Sequence, residues 1–131
     1  MAITKEGGRQ WPLVAKMAFA IGDFGASGVA EDAIDLPAGA SVISASITID
    51  VAFDSVTSDS LDVAGAGITL AGTDGQALGT TEASAIDSTA LTVNTPVTLE
   101  WTQVGGAGTA GTGFLLVKYI QDGKANEVVP A

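Results

Sequence analysis

The sequence predicts an all-β protein, an antiparallel β-sandwich with the jelly roll among its candidate forms. Three observations carry this expectation. Four long segments alternate apolar and polar residues with a period of two, Pro, Gly and Asp turn sequences separate them, and no segment shows a convincing amphipathic helical period. Short strands punctuated in this way are the mark of sandwiches and barrels. At 131 residues the chain is long enough to bury roughly two thirds of its unfolded surface in one domain.

Taken in order, residues 1–11 are expected to form a flexible N-terminal arm, and residues 12–131 a single sandwich domain. Gly7-Gly8 interrupts any pattern in "MAITKEGGRQW", and Pro12 fixes the exit into the first strand. "PLVAKMAFAI" puts Leu13, Ala15, Met17, Phe19 and Ile21 on one face. "VAEDAIDL" is a shorter candidate, leading into the turn Leu36-Pro37-Ala38-Gly39. In "VISASITIDVAF" the odd positions Ile43, Ala45, Ile47, Ile49, Val51 and Phe53 are apolar and read as the inward face. "SLDVAG", "GITLAG" and "ALTVN" are further short candidates, with a turn at Thr73-Asp74-Gly75. The segment "GQALGTTEASAIDS", residues 75–88, is the least regular and is open to a short helix. "PVTLEWTQV" sends Val97, Leu99 and Trp101 inward. "FLLVKYI" is apolar on both faces apart from Lys118, which suits a central or interface strand, and Gln121-Asp122-Gly123 reads as a turn.

Composition excludes several chemistries. The formal net charge is −10, from 15 carboxylates against 5 basic residues, so phosphate backbones and anionic membrane surfaces are not expected partners. No run of about 18 apolar residues is present to span a bilayer as a helix. The N-terminus lacks the apolar run of a signal peptide, so the expected site of synthesis is the cytoplasm. The absence of Cys removes disulfides and thiolate chemistry, and the absence of His removes the commonest general base and transition-metal ligand. Yet 47% of residues are hydrophobic and the mean hydropathy is +0.40. That excess points to a homo-oligomer or a docked protein, against a compact Ala-rich monomer as the alternative.

Individual motifs reduce to architecture. In "AFDSVTSDSLDV" the carboxylates Asp54 and Asp59, with Ser55 and Ser58, are expected to bond backbone amides and shape a turn. The alternative is a Ca²⁺ site using Asp50, Asp54, Asp59 and Asp62, but the spacing of a Ca²⁺-binding loop is missing. "GGAGTAGTG" contains a formal G-x-G-x-x-G at Gly106, Gly108 and Gly111. The next segment carries a strand pattern rather than a helical one, so a glycine-rich loop is expected and not a phosphate cradle. No Ser–Lys spacing supplies a nucleophile and base, and no cofactor, metal or catalytic residue is expected. Trp101 fits the core period, whereas Trp11 flanks the arm.

The segments "LPAGA", "VISASITIDVAF", "DSVTSDSLDV" and "TPVTLEWTQVGGAGTAGTGFLLVKYIQDGKANEVVP" together resemble the head decoration, or cement, proteins of tailed bacteriophages. The likeness covers roughly residues 29–72 and 89–130. It implies a β-rich homotrimer on the outer surface of the virion, bound to the major capsid protein shell and stabilising it without enzymatic activity. Within that reading the arm anchors the protein to its neighbours through Lys5, Arg9 and Trp11. Two of the five positive charges lie there, and an aromatic side chain suits an interface anchor; a frayed terminus is the plain alternative. The rival function is a carbohydrate-binding or adhesion module of a phage fibre or bacterial surface. It needs exposed aromatic platforms, which an aromatic content of 5% argues against.

Overall fold

Nine strands pass back and forth between two antiparallel sheets in the computed structural model, which describes residues 12–121. They are β1 (Leu13–Ala20), β2 (Val29–Leu36), β3 (Ala40–Val51), β4 (Ser58–Gly65), β5 (Ile68–Asp74), β6 (Gly79–Glu82), β7 (Ala85–Ile86), β8 (Thr95–Val104) and β9 (Thr112–Gln121). The first sheet has the order β1-β9-β3-β6 and the second β2-β8-β4-β5-β7.

The pairing is nested. β1 pairs with β9, β2 with β8, β3 with β6 and β4 with β5, all antiparallel. Such a set is one long ribbon whose tip is the β4–β5 hairpin, rolled so that successive pairs fall in opposite sheets. The cross-pairs β3–β9 and β4–β8 close the roll. This is the jelly roll, and β7 is a two-residue addition to one edge. The expected all-β sandwich is therefore present, in the jelly-roll form.

Alternation fixes the core. Ala45, Ile47 and Ile49 of β3 and Leu115 and Val117 of β9 meet Leu61, Val63, Val97, Leu99 and Trp101 of the second sheet, all buried. β9 lies between β1 and β3, in the central position that its two apolar faces suggested. Burial on the inner side of β1 grows along the strand, from exposed Leu13 through half-buried Met17 to buried Phe19.

Three local expectations fail, each for a structural reason. The β3–β9 register slips between Val42 and Ser44 and again between Ile49 and Val51. A bulge shifts the phase of alternation, so Val42 is buried while Ile43 is 47% exposed and Val51 faces out. Residues 75–88 hold β6 and β7 and no helix. β6 is exposed along its whole length, so no apolar face marked it in the sequence. "ALTVN" is not a strand. Only Leu91 engages β3, donating its N–H to the Ala40 carbonyl and accepting from Gly39 N–H. The sole helical turn among the described residues is a 3-10 turn, Ile21–Asp23, closed by Asp23 Oδ2 accepting from Ala20 N–H at 2.8 Å.

Candidate functional site

Lys5, Arg9 and Trp11, the residues to which the sequence assigns partner contact, lie outside the described residues, as does most of the Gln121-Asp122-Gly123 turn. The acidic stretch between β3 and β4 is fully described, and its carboxylates are structural acceptors. Asp59 is 1% exposed and has no basic partner in its network. Its Oδ1 accepts from Ser55 Oγ at 2.6 Å and Trp101 Nε1 at 2.8 Å. Its Oδ2 accepts from Ser55 N at 2.9 Å and Gln76 Nε2 at 3.0 Å. Gln76 Nε2 also donates to the Ser55 carbonyl at 2.8 Å, so two acceptors fix the orientation of that amide. Burial is the largest single influence on the Asp59 carboxyl and would raise its pKa. The bonds from Ser55, Gln76 and Trp101 together outweigh it and hold the group below its ordinary value.

Asp54 works across the chain. It accepts from Ala110 N–H at 2.9 Å and Thr109 N–H at 2.7 Å, and those two bonds depress its carboxyl. The glycine-rich run between β8 and β9 is the other half of this junction. A Cβ on Gly108 would meet Asp54 Oδ1 at 2.6 Å, and one on Gly111 would sit 2.5 Å from the Phe53 ring. The glycines let one backbone lie against another, as a loop and not as a phosphate cradle. The expected turn chemistry is therefore present, but its partners lie up to 56 residues away. That distance is what the sequence concealed.

Every acceptor position of Asp59 is occupied, and the hydroxyl beside it, Ser55 Oγ, is buried and bonded to Asp59 and Gln103. Among the described residues no group of three or more Asp and Glu side chains is gathered as a metal site. Trp101 is 7% exposed and bonded to Asp59, so it offers no face to a sugar.

The outer face of the first sheet carries both lysines of the described residues, with Glu82 in the row of Lys16. The register of β1, β9 and β3 lines up Lys16 with Leu116 and Ser46, Val14 with Lys118 and Ser44, and Ala18 with Phe114 and Thr48. Lys16 Nζ lies 4.4 Å from the Phe114 ring centroid, a cation–π contact. On the outer face of the second sheet Asp62 stands directly opposite Glu100, and Asp32 opposite Thr98.

A groove of about 210 Å³ opens between the edge strands β1 and β2. Met17, Phe19 and Phe24 form its apolar floor, and Asp23, Glu31 and Asp32 its rim. Phe24 packs edge-on against Phe19 at 5.8 Å between centroids and lies tilted against Trp101 at 5.7 Å.

Fold and surface together define a jelly-roll sandwich with loops locked by carboxylates and no catalytic constellation among its described residues. No family model matches the sequence, and no curated protein matches it. Solved structures do. The chain superposes on one from the capsid asymmetric unit of cyanophage Pam1 with a TM-score of 0.65 and 18% identity, covering 92% of this chain and 91% of that one. For the acidic stable capsid of Helicobacter pylori bacteriophage KHP30 the TM-score is 0.64 at 20% identity, over 91% and 94%. For the capsid of Ralstonia phage GP4 it is 0.64 at 18% identity, over 92% and 90%. At these identities the likeness is one of fold.

Proposed function

We propose that the protein is a non-enzymatic structural component of a bacteriophage virion, a decoration or cement protein that binds the outer surface of the major capsid protein shell and stabilises it as a homotrimer. The observation that carries this reading is the likeness to chains of three phage capsids over at least 90% of both partners. Charge supports the outer position, since a chain of net charge −10 is repelled by packaged nucleic acid. The apolar excess suits contacts between subunits, and an all-β body without a catalytic constellation suits a mechanical role. Lys5, Arg9 and Trp11 anchor it, two cations and an aromatic ring suited to an acidic partner surface. No cofactor, nucleic acid or membrane enters this role.

The test is to add purified protein to undecorated capsids and image them by cryo-electron microscopy. Ordered density over the junctions between capsomers, with a rise in the temperature at which the shells open, is the expected result. Shells that remain bare at micromolar protein would overturn the reading. A chain lacking residues 1–10 that decorates with unchanged affinity would remove the arm from it.

A further inference from the structure

The groove between β1 and β2 has the features of a receiving site for an extended chain. β1 is the edge of its sheet, eight residues long, with apolar side chains on both faces and neither Pro nor an acidic residue within it. Lys16, drawn onto the Phe114 ring, is the single guard on that edge, and an edge so lightly protected is a template for another strand. β2, across the groove, is guarded by Glu31, Asp32 and Asp35 and by a register shift between Asp32 and Ile34. An incoming segment can therefore bond to β1 while its side chains meet the apolar floor and the acid rim.

We propose that this groove receives the N-terminal segment, residues 1–11, of a second copy of the chain, with Lys5 and Arg9 against Asp23, Glu31 and Asp32. Charge selects the occupant. The only bases of the described body, Lys16 and Lys118, are outward-facing neighbours on β1 and β9, so the N-terminal segment is a basic element that precedes an acidic body. Spacing fits as well. In an extended segment Ile3, Lys5, Arg9 and Trp11 fall on one side, presenting apolar and cationic groups together. The apolar excess that points to a homo-oligomer selects a second copy. The segment joins the body at Pro12, beside Leu13, whereas the groove lies at the other end of β1, by Met17 and Phe19. Eleven extended residues reach about 36 Å, enough to fold back along β1 or to cross to a neighbouring molecule, and only the crossing makes association depend on the segment.

The proposal rests on the homo-oligomer in the functional reading, and purified full-length protein tests it without capsids. Two variants are made, Lys5→Glu/Arg9→Glu in the segment and Glu31→Lys/Asp32→Lys in the groove, with circular dichroism to confirm the fold. Wild type is expected to associate at micromolar concentration in light scattering. Each variant alone is expected to weaken association about a hundredfold, and mixing the two to restore it in part, because each then offers a groove opposite in sign to the other's segment, while a ring of three keeps one like pair. If the groove variant fails to fold, Glu31→Gln/Asp32→Asn replaces it, with an expected loss of about tenfold and a weaker salt dependence. A wild-type monomer, variants that associate as wild type does, or a mixture no better than its components would each overturn the proposal. Intact association with bare capsids would sink only the decoration reading; failed mixing with decorated capsids would sink only this one.

Discussion

Asp59→Asn is expected to destabilise the protein by about 2–4 kcal/mol, although it changes one oxygen to nitrogen. Four donors converge on the carboxylate, and a carboxylate is acceptor-only. The carboxamide brings two N–H donors of its own. With its nitrogen at the Oδ1 position the Ser55 hydroxyl can turn and accept, but Trp101 Nε1–H then faces a donor. With its nitrogen at the Oδ2 position Ser55 N–H faces a donor, and Gln76 can flip only by abandoning the Ser55 carbonyl. Either way a buried donor is stranded, at about 1–3 kcal/mol, and charge-assisted bonds become neutral ones.

The assay is urea unfolding followed by far-UV circular dichroism, at several pH values. Because the folded-state pKa of Asp59 is depressed, its contribution is fully present above the unfolded value of about 3.9 and is lost as pH falls through the folded one. The gap between wild type and Asp59→Asn is therefore constant above about pH 5 and closes below about pH 4, where protonated Asp59 resembles the amide. A variant within about 0.5 kcal/mol of wild type at pH 7, or a gap that widens in acid, would refute the reasoning.

Leu115→Ala, at a fully buried position of β9, is expected to cost about 2–5 kcal/mol in the same urea assay through the cavity it leaves. Gly111→Ala is expected to lower stability by at least about 2 kcal/mol, since Gly111 has a φ of 145° and its added methyl would meet the Phe53 ring; calorimetry reads it as a fall in Tm. Thr73→Val is expected to raise stability by about 1 kcal/mol, because Thr73 Oγ1 is buried without a hydrogen-bond partner among the described residues; the urea midpoint reads it.

The sandwich was legible because its long strands each bury one face, and period two survives wherever one side meets the core. β8 shows this most plainly, with Val97, Leu99 and Trp101 buried in turn. Legibility failed where register departs from simple alternation. No sequence pattern announced that Val42 and not Ile43 turns inward, because the bulge is imposed by pairing with β9. β6 escaped because an edge strand exposed on both faces carries no periodic signal. The candidate site was legible only in kind. Asp54 and Asp59 read as turn-forming acceptors, and Ser55 is the local donor expected, but the other donors come from the segments around Gln76, Trp101 and Thr109, which only the nested topology brings together. The groove left no trace in the sequence at all, since Met17, Phe19, Phe24, Glu31 and Asp32 meet through the closure of the roll.

That closure gives the two ends of the sandwich different characters. Leu13 pairs with Tyr119, and Ala40 with Gln121, so the strands that lead to both termini leave the first sheet at one end. At the other end Ala20 pairs with Thr112, beside the loops that Asp54 and Asp59 hold together. The groove belongs to this second end. Its floor residue Phe24 rests on Trp101, and the indole N–H of Trp101 is fixed by the Asp59 carboxylate. A surface supported in this way loses little conformational freedom when a chain settles on it, so the ordering cost falls almost wholly on the incoming segment. One end of the described body thus holds a pre-organised groove, while β1 begins and β9 ends at the other. An interface built from unlike ends is heterologous, and such an interface makes a ring where the rotation between copies closes and an open filament where it does not.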